Sequence, residues 1–427
     1  MRVPKVYYVN AHVPITYITQ VPSNKWYTHS LIYQTKELAG KILSDAISPG
    51  DAVAVKIHFG ERYTQACLRP SYVRKVVDKI KELGGKPFVC DTLFSGGAVL
   101  RDEAGEPQWS RRSLEEALQT AAMNGFTGET MGCPVLFADA PKGLSSRRCE
   151  FDGKYIKQAY IAPAIAEADI LLSLAHFKCH DCVSVGGTLK NVGVGCSSKQ
   201  GKWWIHHNAK LTVERTKCTG CGECVPECPV GAIKMVEGKA QVSFEKCIDC
   251  AFCVNYCKPS AFTSKTFPTI EEQEARIAET AAGIIKHFEG KAFFINLAID
   301  IVPLCDCDPY QGTPIVPDVG VLSSKDPVAL DRACVDLVNA SRGNLGSMAE
   351  DANVLSPGAE KFNPIAKMRW NATPGATNVT PDWRVMLRAA EEAGLGTQQY
   401  RLVNVNFGYP PKKIKDLFQD YQEAEDL

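Results

Sequence analysis

Eight cysteines within forty residues constrain this chain more than any other feature of its sequence. They form two successive runs with C-x-x-C-x-x-C-x-x-x-C spacing: Cys218, Cys221, Cys224 and Cys228, then Cys247, Cys250, Cys253 and Cys257. This spacing is typical of bacterial-type pairs of [4Fe-4S] clusters, in which the fourth cysteine of each run ligates the cluster of the other run. The sequence therefore predicts two [4Fe-4S] clusters.

The predicted ligation is crossed, because three closely spaced thiolates can surround one cluster while the fourth ligand must come from elsewhere. We expect one cluster on Cys218, Cys221, Cys224 and Cys257, and the other on Cys247, Cys250, Cys253 and Cys228. Zinc is the alternative, since C-x-x-C knuckles also bind zinc. However, zinc sites use four ligands in two pairs and leave the third and fourth cysteines of each run unexplained.

Composition bounds the class of protein. The 427 residues allow two or three domains, and 45% hydrophobic residues suffice for a packed core. Lysine plus arginine equals aspartate plus glutamate at 48 each, so no net field favours nucleic acid or an anionic membrane. No apolar run is long enough for a membrane span or a signal peptide. With eighteen cysteines, we expect a soluble cytoplasmic protein in a reducing compartment.

Strands alternate with helices on both sides of the cysteine runs. Strands are predicted at 3–9, 51–57, 87–90, 135–138, 155–161, 170–174, 292–297, 319–322 and 402–405. Helices are predicted at 31–43, 70–83, 113–123, 162–168, 269–288, 327–340 and 383–393. The pattern predicts an α/β fold, with a largely parallel sheet flanked by helices and an inserted ferredoxin-like α+β module.

The domain boundaries follow from this alternation. Residues 1–210 and 266–427 are predicted to form the two parts of one α/β body, and residues 211–265 are predicted to be the ferredoxin-like insert. Residues 93–112 are a loop or lid candidate, and residues 343–380 show little pattern.

Polar side chains follow four of the predicted strands. His58 and Glu61 follow one strand, Asp91 another, residues 176–182 a third and residues 305–308 a fourth. Ligands of open α/β sheets bind beyond the carboxyl ends of the strands. We therefore predict that these residues converge on one site.

The candidate catalytic residues of this site are imidazole, ammonium and thiol groups: His176, Lys178, His180, Lys190, Cys305 and Cys307. His176, Lys178 and Lys190 could bind an anion or deliver protons, and Cys305 and Cys307 could be metal ligands or redox thiols. Cys179 and Cys182 add possible ligands for zinc or iron. The alternative is that the cysteines are small buried hydrophobic residues and the histidines bind loop carbonyls.

The glycine-rich segment 186–195 could expose backbone N–H groups to a phosphate or a flavin tail. Its candidate cofactor-binding residues are Gly186, Gly187, Lys190 and Asn191. Glycines of a tight turn are the alternative. Neither G-x-G-x-x-G after a strand nor G-x-x-x-x-G-K-[ST] occurs, which disfavours nicotinamide dinucleotides and P-loop chemistry. Four aromatic residues lie between this segment and the cysteine runs, where they either pack a domain junction or insulate an electron path: Trp203, Trp204, His206 and His207.

A series of motifs resembles the DUF362 family, an iron-sulfur centre group with an inserted two-cluster ferredoxin domain. The motifs are His58-Phe-Gly-Glu, His176-Phe-Lys, Gly187-Thr-Leu-Lys-Asn-Val-Gly, Cys305-Asp-Cys, Pro317-Asp-Val-Gly and Ser324-Lys-Asp-Pro-Val-Ala. The resemblance covers roughly residues 50–340 and implies clusters and a redox role. Two positions depart from it: Cys179 stands where H-F-K-G-H has glycine, and Lys258 separates Cys257 from Pro259.

The leading functional hypothesis is an oxidoreductase of anaerobic metabolism. The clusters would pass single electrons to or from a substrate or second cofactor, an additional metal or a flavin, at the strand ends. The electron partner would be a redox protein or a small-molecule donor or acceptor. The alternative is a non-enzymatic electron-transfer or cluster-handling protein that docks a redox partner.

Overall fold

The structure is a computed structural model that describes residues 3–12, 22–94, 111, 113–141, 143, 145–207, 210–248, 252–264, 268–371, 380–405 and 421–423. In these ranges, seventeen strands occur: β1 Lys5–Asn10, β2 Ala52–Lys56, β3 Lys86–Asp91, β4 Val135–Phe137, β5 Arg147–Glu150, β6 Gln158–Ile161, β7 Ile170–His176, β8 Lys178–His180, β9 Ser184–Gly186, β10 Leu211–Val213, β11 Ile233–Val236, β12 Lys239–Val242, β13 Phe262–Ser264, β14 Ala292–Ala298, β15 Gly320–Ser324, β16 Arg401–Asn404 and β17 Tyr421–Glu423.

The α-helices of the same ranges are α1 Leu31–Leu43, α2 Pro70–Glu82, α3 Leu114–Met123, α4 Gly128–Met131, α5 Pro163–Ala166, α6 Thr188–Gly193, α7 Lys199–His206, α8 Phe252–Tyr256, α9 Ile270–His287, α10 Pro327–Ala340, α11 Met348–Asp351, α12 Phe362–Asn371 and α13 Trp383–Glu392. No helix among the described residues is long and apolar enough to cross a membrane.

A nine-stranded sheet forms the centre of the molecule, in the order β17-β16-β1-β15-β14-β7-β2-β3-β4. All neighbouring strands are parallel except β15, which is antiparallel to both β1 and β14. The predicted α/β fold with a largely parallel sheet is therefore confirmed. The orientation of β15 was not predicted. It arises because the chain returns into the sheet from the edge at which β14 ends, without a crossover helix.

Helices cover both faces of the sheet and produce two hydrophobic cores. In β14, Phe293, Ile295 and Leu297 belong to the core packed against α1 and α2. The alternate residues Phe294 and Ala298 belong to the other core, with side chains of α6, α9, α10 and α13. Successive side chains of a strand point to opposite faces, so covering both faces explains the continuous apolar runs of the central strands.

The two long helices after the cysteine runs begin where their sequences predict. The Thr269 and Glu272 side chains each accept a hydrogen bond from the backbone N–H of the other, which is the predicted capping box of α9. At α10, the Asp326 carboxylate accepts from Val328 and Ala329, and Pro327 occupies the first turn.

The cysteine-rich segment lies between α7 and α9 and forms small elements of its own. Strand β10 pairs with β13 and β11 with β12, both antiparallel, and α8 lies within the second cysteine run and contains Cys253. The strands of the central sheet come from the chain before and after this segment. The boundaries at 210 and 265 stay a prediction.

Several short elements were not predicted. Residues 178–186 form the hairpin β8–β9, and the poorly patterned stretch after residue 343 contains α11 and α12. Their stability comes from tertiary packing, as for Phe362 of α12, which is fully buried against Phe177. Sequence periodicity cannot reveal elements of three or four residues, such as β8, β9 and α11, whereas the ten residues of α12 lack a clear apolar period.

Candidate functional site

A cavity of about 590 Å³ lies at the carboxyl ends of β2, β3 and β7. Pockets for small organic molecules in proteins have volumes of about 300–1,000 Å³, so this cavity can hold one. All nine candidate residues of the α/β body line it: His176, Lys178, His180, Gly186, Gly187, Lys190, Asn191, Cys305 and Cys307. The structure thus brings together residues that are up to 131 positions apart in the sequence.

An imidazole and two thiols surround the ammonium group of Lys190. Its Nζ contacts His180 Nε2 and lies 3.5 Å from Cys305 Sγ and 4.0 Å from Cys307 Sγ. Although burial raises the pKa of the Cys305 thiol, its hydrogen bond with Cys307 and the charge of Lys190 lower it well below the usual value. The same hydrogen bond and burial raise the pKa of Cys307. Of the two thiols, Cys305 therefore loses its proton more readily than Cys307.

A second group fixes the position of these thiols. The Asp306 carboxylate lies 2.8 Å from His176 Nδ1 and accepts a hydrogen bond of 3.0 Å from Lys178 Nζ. His176 Nε2 faces the carbonyl oxygens of Ile299, at 2.9 Å, and Asp300, at 3.1 Å. Because both ring nitrogens are engaged within the protein, His176 positions the loop that carries the thiols and has no free nitrogen for a bound molecule.

A third group contains residues that the sequence did not single out as candidates, Lys56 and Arg111. Lys56 Nζ lies 2.9 Å from Asp91 Oδ1, and Arg111 Nη1 lies 3.3 Å from Asp91 Oδ2. Arg111 Nε also donates to Glu61, at 2.7 Å. Although burial alone raises the pKa of Asp91, the positive charges of Lys56 and Arg111 hold it well below the usual range. All of these side chains are ordered by one buried network.

Lys202 of α7 lines the far wall of the cavity and was also not predicted. Its Nζ donates to Thr92 Oγ1 at 2.7 Å and to the Leu93 carbonyl at 2.5 Å. Burial lowers the pKa of Lys202 to about 8. Burial, followed by the charge of Arg111, also lowers the pKa of His58, to about 3. Its Nδ1 accepts from the Gly60 N–H, so the neutral ring keeps its proton on Nε2.

Two backbone amides of the glycine-rich segment are occupied by a carboxylate and are not available to a phosphate. The backbone N–H groups of Thr188 and Leu189 donate to the Asp331 carboxylate, at 2.8 and 2.9 Å. A Cβ at Gly187 would lie 2.5 Å from Asp331 Oδ1, so this glycine permits the close approach of the carboxylate. This close approach explains the glycine at position 187, and a phosphate or flavin tail at the segment stays a prediction.

The remaining cysteines of the body separate into two sets. Cys182 lines the cavity, whereas Cys179 is fully buried in the hydrophobic core on the other side of the hairpin. Cys90, Cys133 and Cys334 are buried among apolar side chains. The replacement of glycine by cysteine at position 179 thus adds packing and no ligand to the cavity.

The cluster cysteines group around two separate hollows. Cys218, Cys221 and Cys224 line one hollow together with Cys257. Cys247 and Cys253 line the other together with Cys228. Cys250, the remaining predicted ligand, lies outside the described residues.

The surroundings of these thiols suit iron-sulfur clusters. Backbone N–H groups donate to three of the cysteine sulfurs: Ala240 to Cys218 Sγ at 3.4 Å, Ala232 to Cys228 Sγ at 3.1 Å and Ala261 to Cys257 Sγ at 3.1 Å. Such bonds stabilise thiolates and tune cluster potentials. The cysteine lining, the apolar walls and the N–H···S bonds of the described residues together fit iron-sulfur clusters, and the crossed ligation stays a prediction.

Helix α7 lies between the two sites. Trp203 is buried in one apolar cluster with Cys218, Cys224, Cys253 and Cys257. Its ring stacks on His207 with a centroid distance of 3.6 Å, and His207 lines the cavity. The aromatic residues before the cysteine runs therefore pack the junction and also connect the cluster segment to the cavity wall.

Comparison with known proteins identifies the family. The chain matches the family described as "Domain of unknown function (DUF362)" over residues 53–336, more than half of its length. It belongs to this family. The resemblance that the motifs carry is thereby confirmed.

Curated relatives match only short parts of this DUF362 protein. Pyruvate synthase subunit PorD of Methanocaldococcus jannaschii is 28% identical over 82 residues, which cover 19% of this chain and 92% of that subunit. A ferredoxin of Pyrobaculum islandicum is 33% identical over 63 residues, covering 14% of this chain and 59% of the ferredoxin. A component of an ion-translocating oxidoreductase complex of Methanosarcina acetivorans is 46% identical over 44 residues, which cover 10% of this chain and 17% of that component. These similarities support an iron-sulfur role for a ferredoxin-type segment within the longer chain.

Among solved structures, the lactate racemase apoprotein from Thermoanaerobacterium thermosaccharolyticum is similar over 92% of this chain and 85% of that one. The sequence identity is 12% and the TM-score is 0.32. No functional conclusion follows from a similarity at this level.

Proposed function

We propose that this DUF362 protein is an iron-sulfur oxidoreductase. Two [4Fe-4S] clusters in an inserted domain, residues 211–265, exchange single electrons with a small anionic molecule or second cofactor in the cavity of the α/β body, residues 1–210 and 266–427. A redox partner protein or a small-molecule donor or acceptor completes the electron transfer. The observation that carries the proposal is the contact through α7, where Trp203 packs beside the cluster cysteines and stacks on the cavity residue His207.

The clusters, when bound, supply electrons one at a time at a potential set by their surroundings. The chain provides the connection between them and the cavity. Arg276 Nη1 donates to the carbonyls of Trp204 and His207, at 3.1 and 3.0 Å, and thereby fixes the end of α7 against α9. The stacked rings of Trp203 and His207 consequently keep a defined position between the cluster segment and the bound molecule.

The charges of the cavity favour an anion. Five cationic side chains line it, Lys56, Arg111, Lys178, Lys190 and Lys202, against the carboxylates of Asp91, Asp181 and Asp308. Lys202 donates its hydrogen bonds to a hydroxyl and a carbonyl and not to a carboxylate, although the charges of Asp139 and Asp91 also act on it. With a pKa of about 8, it can also deliver a proton to a molecule that gains electrons near neutral pH.

The test uses the holoprotein under anaerobic conditions. The clusters are reduced with dithionite, the excess is removed, and reoxidation by small 2-oxo and 2-enoic acids is followed by the visible absorption of the clusters. Each acid is compared with its neutral methyl ester. We expect an acid to react faster than its ester. In Lys202→Met, the ratio of the rate with the acid to the rate with the ester should fall about tenfold, equivalent to about 1.4 kcal/mol.

A matched control separates the cavity from the protein surface. Lys258→Met removes a cation from the cluster segment, where Lys258 pairs with Glu223 at 3.2 Å, and leaves the cavity unchanged. It should keep the wild-type preference. If acids and esters react equally and Val194→Trp, which fills the cavity, changes no rate, the clusters exchange electrons at the surface. The non-enzymatic docking protein would then be the correct function.

A further inference from the structure

We infer that His180, Cys305 and Cys307 bind one divalent zinc or iron ion that faces the cavity. This site would be the second cofactor of the same cavity, and to that extent the inference rests on the proposed function. Metal content, however, is measured without electron transfer, so the two can fail separately.

The three ligand atoms have the separations that a metal ion needs. His180 Nε2 lies 3.8 Å from Cys307 Sγ, and one nitrogen of His180 and both sulfurs lie within 4.8 Å of one another. Bond lengths of about 2.3 Å to sulfur and about 2.0–2.1 Å to nitrogen place the ligands of a tetrahedral zinc ion about 3.6–3.8 Å apart. The three ligand side chains need only small movements to coordinate an ion once the Lys190 ammonium group leaves its place among them.

The protein holds the two thiols on one side of their loop. Between them, Asp306 points away from the cavity group and is fixed by His176, at 2.8 Å, and by Lys178, at 3.0 Å. Because Asp306 is fully buried and anchored at both oxygens, Cys305 and Cys307 on either side of it are presented together. A supporting shell of this kind is what keeps metal ligands in place.

A carboxylate stands behind the histidine. His180 Nδ1 lies 3.1 Å from Asp181 Oδ1 and 3.0 Å from the backbone nitrogen of Cys182. The carboxylate accepts from a protonated Nδ1, whereas the backbone N–H donates to an unprotonated one. A metal on Nε2 selects the first arrangement, which is the carboxylate–histidine–metal contact common in metal sites.

The ammonium group of Lys190 occupies the position at which the metal ion would bind. It contacts all three ligand atoms, so the site already stabilises a cation there. On metal binding, the long side chain of Lys190 would turn into the cavity. The metal then keeps one position open toward the cavity, as zinc ions do when they bind or activate a small molecule.

A competing set shares the same histidine, since His180, Asp181 and Cys182 could also hold an ion. It has one thiol where the first set has two. Zinc and iron favour thiolate and imidazole over a carboxylate in such small sites, so the first set is the stronger one. Variants of Cys182 and Cys305 distinguish the two sets.

The experiment is anaerobic loading of the holoprotein with Zn²⁺, desalting and metal analysis. We expect about one zinc per chain in addition to the cluster iron, and X-ray absorption with two sulfurs at about 2.3 Å and one nitrogen at about 2.0 Å. Cys305→Ser and Cys307→Ser should lose this zinc, with unchanged cluster absorption as the control for folding. Lys190→Met should bind it more tightly, because a competing cation is gone.

Two cysteines serve as matched controls. Cys149 lies 3.6 Å from His287 Nδ1, but among the described residues this pair belongs to neither group that could hold an ion, so Cys149→Ser should keep the zinc. Cys182→Ser should keep it as well. The inference is overturned if wild type holds no more zinc than Cys305→Ser, or if Cys182→Ser alone loses it. Zinc bound without any preference for anionic acceptors would refute the proposed function and leave the metal site standing.

Discussion

Replacing Asp91 by asparagine should strongly destabilise the α/β body. Its carboxylate is buried and lies between Lys56, at 2.9 Å, and Arg111, at 3.3 Å. At an effective dielectric constant of about 20, the gross attraction to Lys56 alone is about 6 kcal/mol. Desolvation offsets part of it, and removing one partner of a buried pair typically costs about 3–5 kcal/mol. We expect Asp91→Asn to lower the free energy of unfolding by this amount.

The pH dependence has a defined sign. The pKa of Asp91 is depressed in the folded protein, so its contribution is complete above the unfolded value of about 4 and is lost as the pH falls further. The difference between wild type and Asp91→Asn should therefore be constant from about pH 8 to about pH 5 and shrink below about pH 4.

Anaerobic urea unfolding, followed by tryptophan fluorescence, measures both effects. Asp169→Asn is the matched control. The Asp169 carboxylate accepts a hydrogen bond of 2.8 Å from the backbone N–H of Ala52 in β2, but Asp169 is exposed to solvent, whereas Asp91 is buried. We expect it to cost about 1 kcal/mol or less. Lys56→Met and the double variant complete a cycle with a coupling energy above about 1 kcal/mol. A loss below about 1 kcal/mol in Asp91→Asn, or additive single variants, would refute the reasoning.

Three other predictions follow from the same structure. Cys257→Ser should remove the cluster held by the first run and spare the other, so that iron falls from about eight to about four atoms per chain. Glu274→Gln should stabilise the protein by about 3 kcal/mol at pH 7 in urea unfolding. Burial raises the pKa of Glu274 to about 9, so wild type loses stability between about pH 4.5 and pH 9 and the variant does not. Trp203→Leu should slow reoxidation of reduced clusters by cavity-bound acids about tenfold at unchanged iron content.

One result would contradict each of these three predictions. Crossed ligation is wrong if Cys257→Ser removes the cluster of Cys247 and Cys253. The account of Glu274 fails if the stability of wild type and Glu274→Gln changes in parallel with pH. An unchanged rate in Trp203→Leu would mean that electrons reach the cavity by another route.

The sequence predicted those parts of the site that carry a local pattern. The cysteine runs reveal their grouping because spacing determines which thiols can meet, and His176 is the last residue of strand β7. Lys56 could have been predicted from the sequence, because a lysine inside the apolar run of β2 is unusual. Arg111 and Lys202 could not have been predicted, because their contacts with Asp91 and Thr92 depend on tertiary packing.

The direction of β15 and the role of Gly187 were hidden for the same reason. Strand periodicity is identical in both directions, so only the path of the chain between β14 and β15 decides the orientation. Gly187 looks like part of a phosphate loop until Asp331, which is 144 positions away in sequence, is seen to occupy the amides. Both features depend on contacts that no local pattern encodes.

The most direct test of the account is the iron and acid-labile sulfide content of anaerobically purified protein, together with its visible absorption before and after reduction. We predict about eight iron atoms and about eight sulfides per chain, with a broad absorption that bleaches when dithionite is added. Zinc at the cysteine runs, with no sulfide and no absorption that bleaches, would contradict the central claim that this protein carries two [4Fe-4S] clusters.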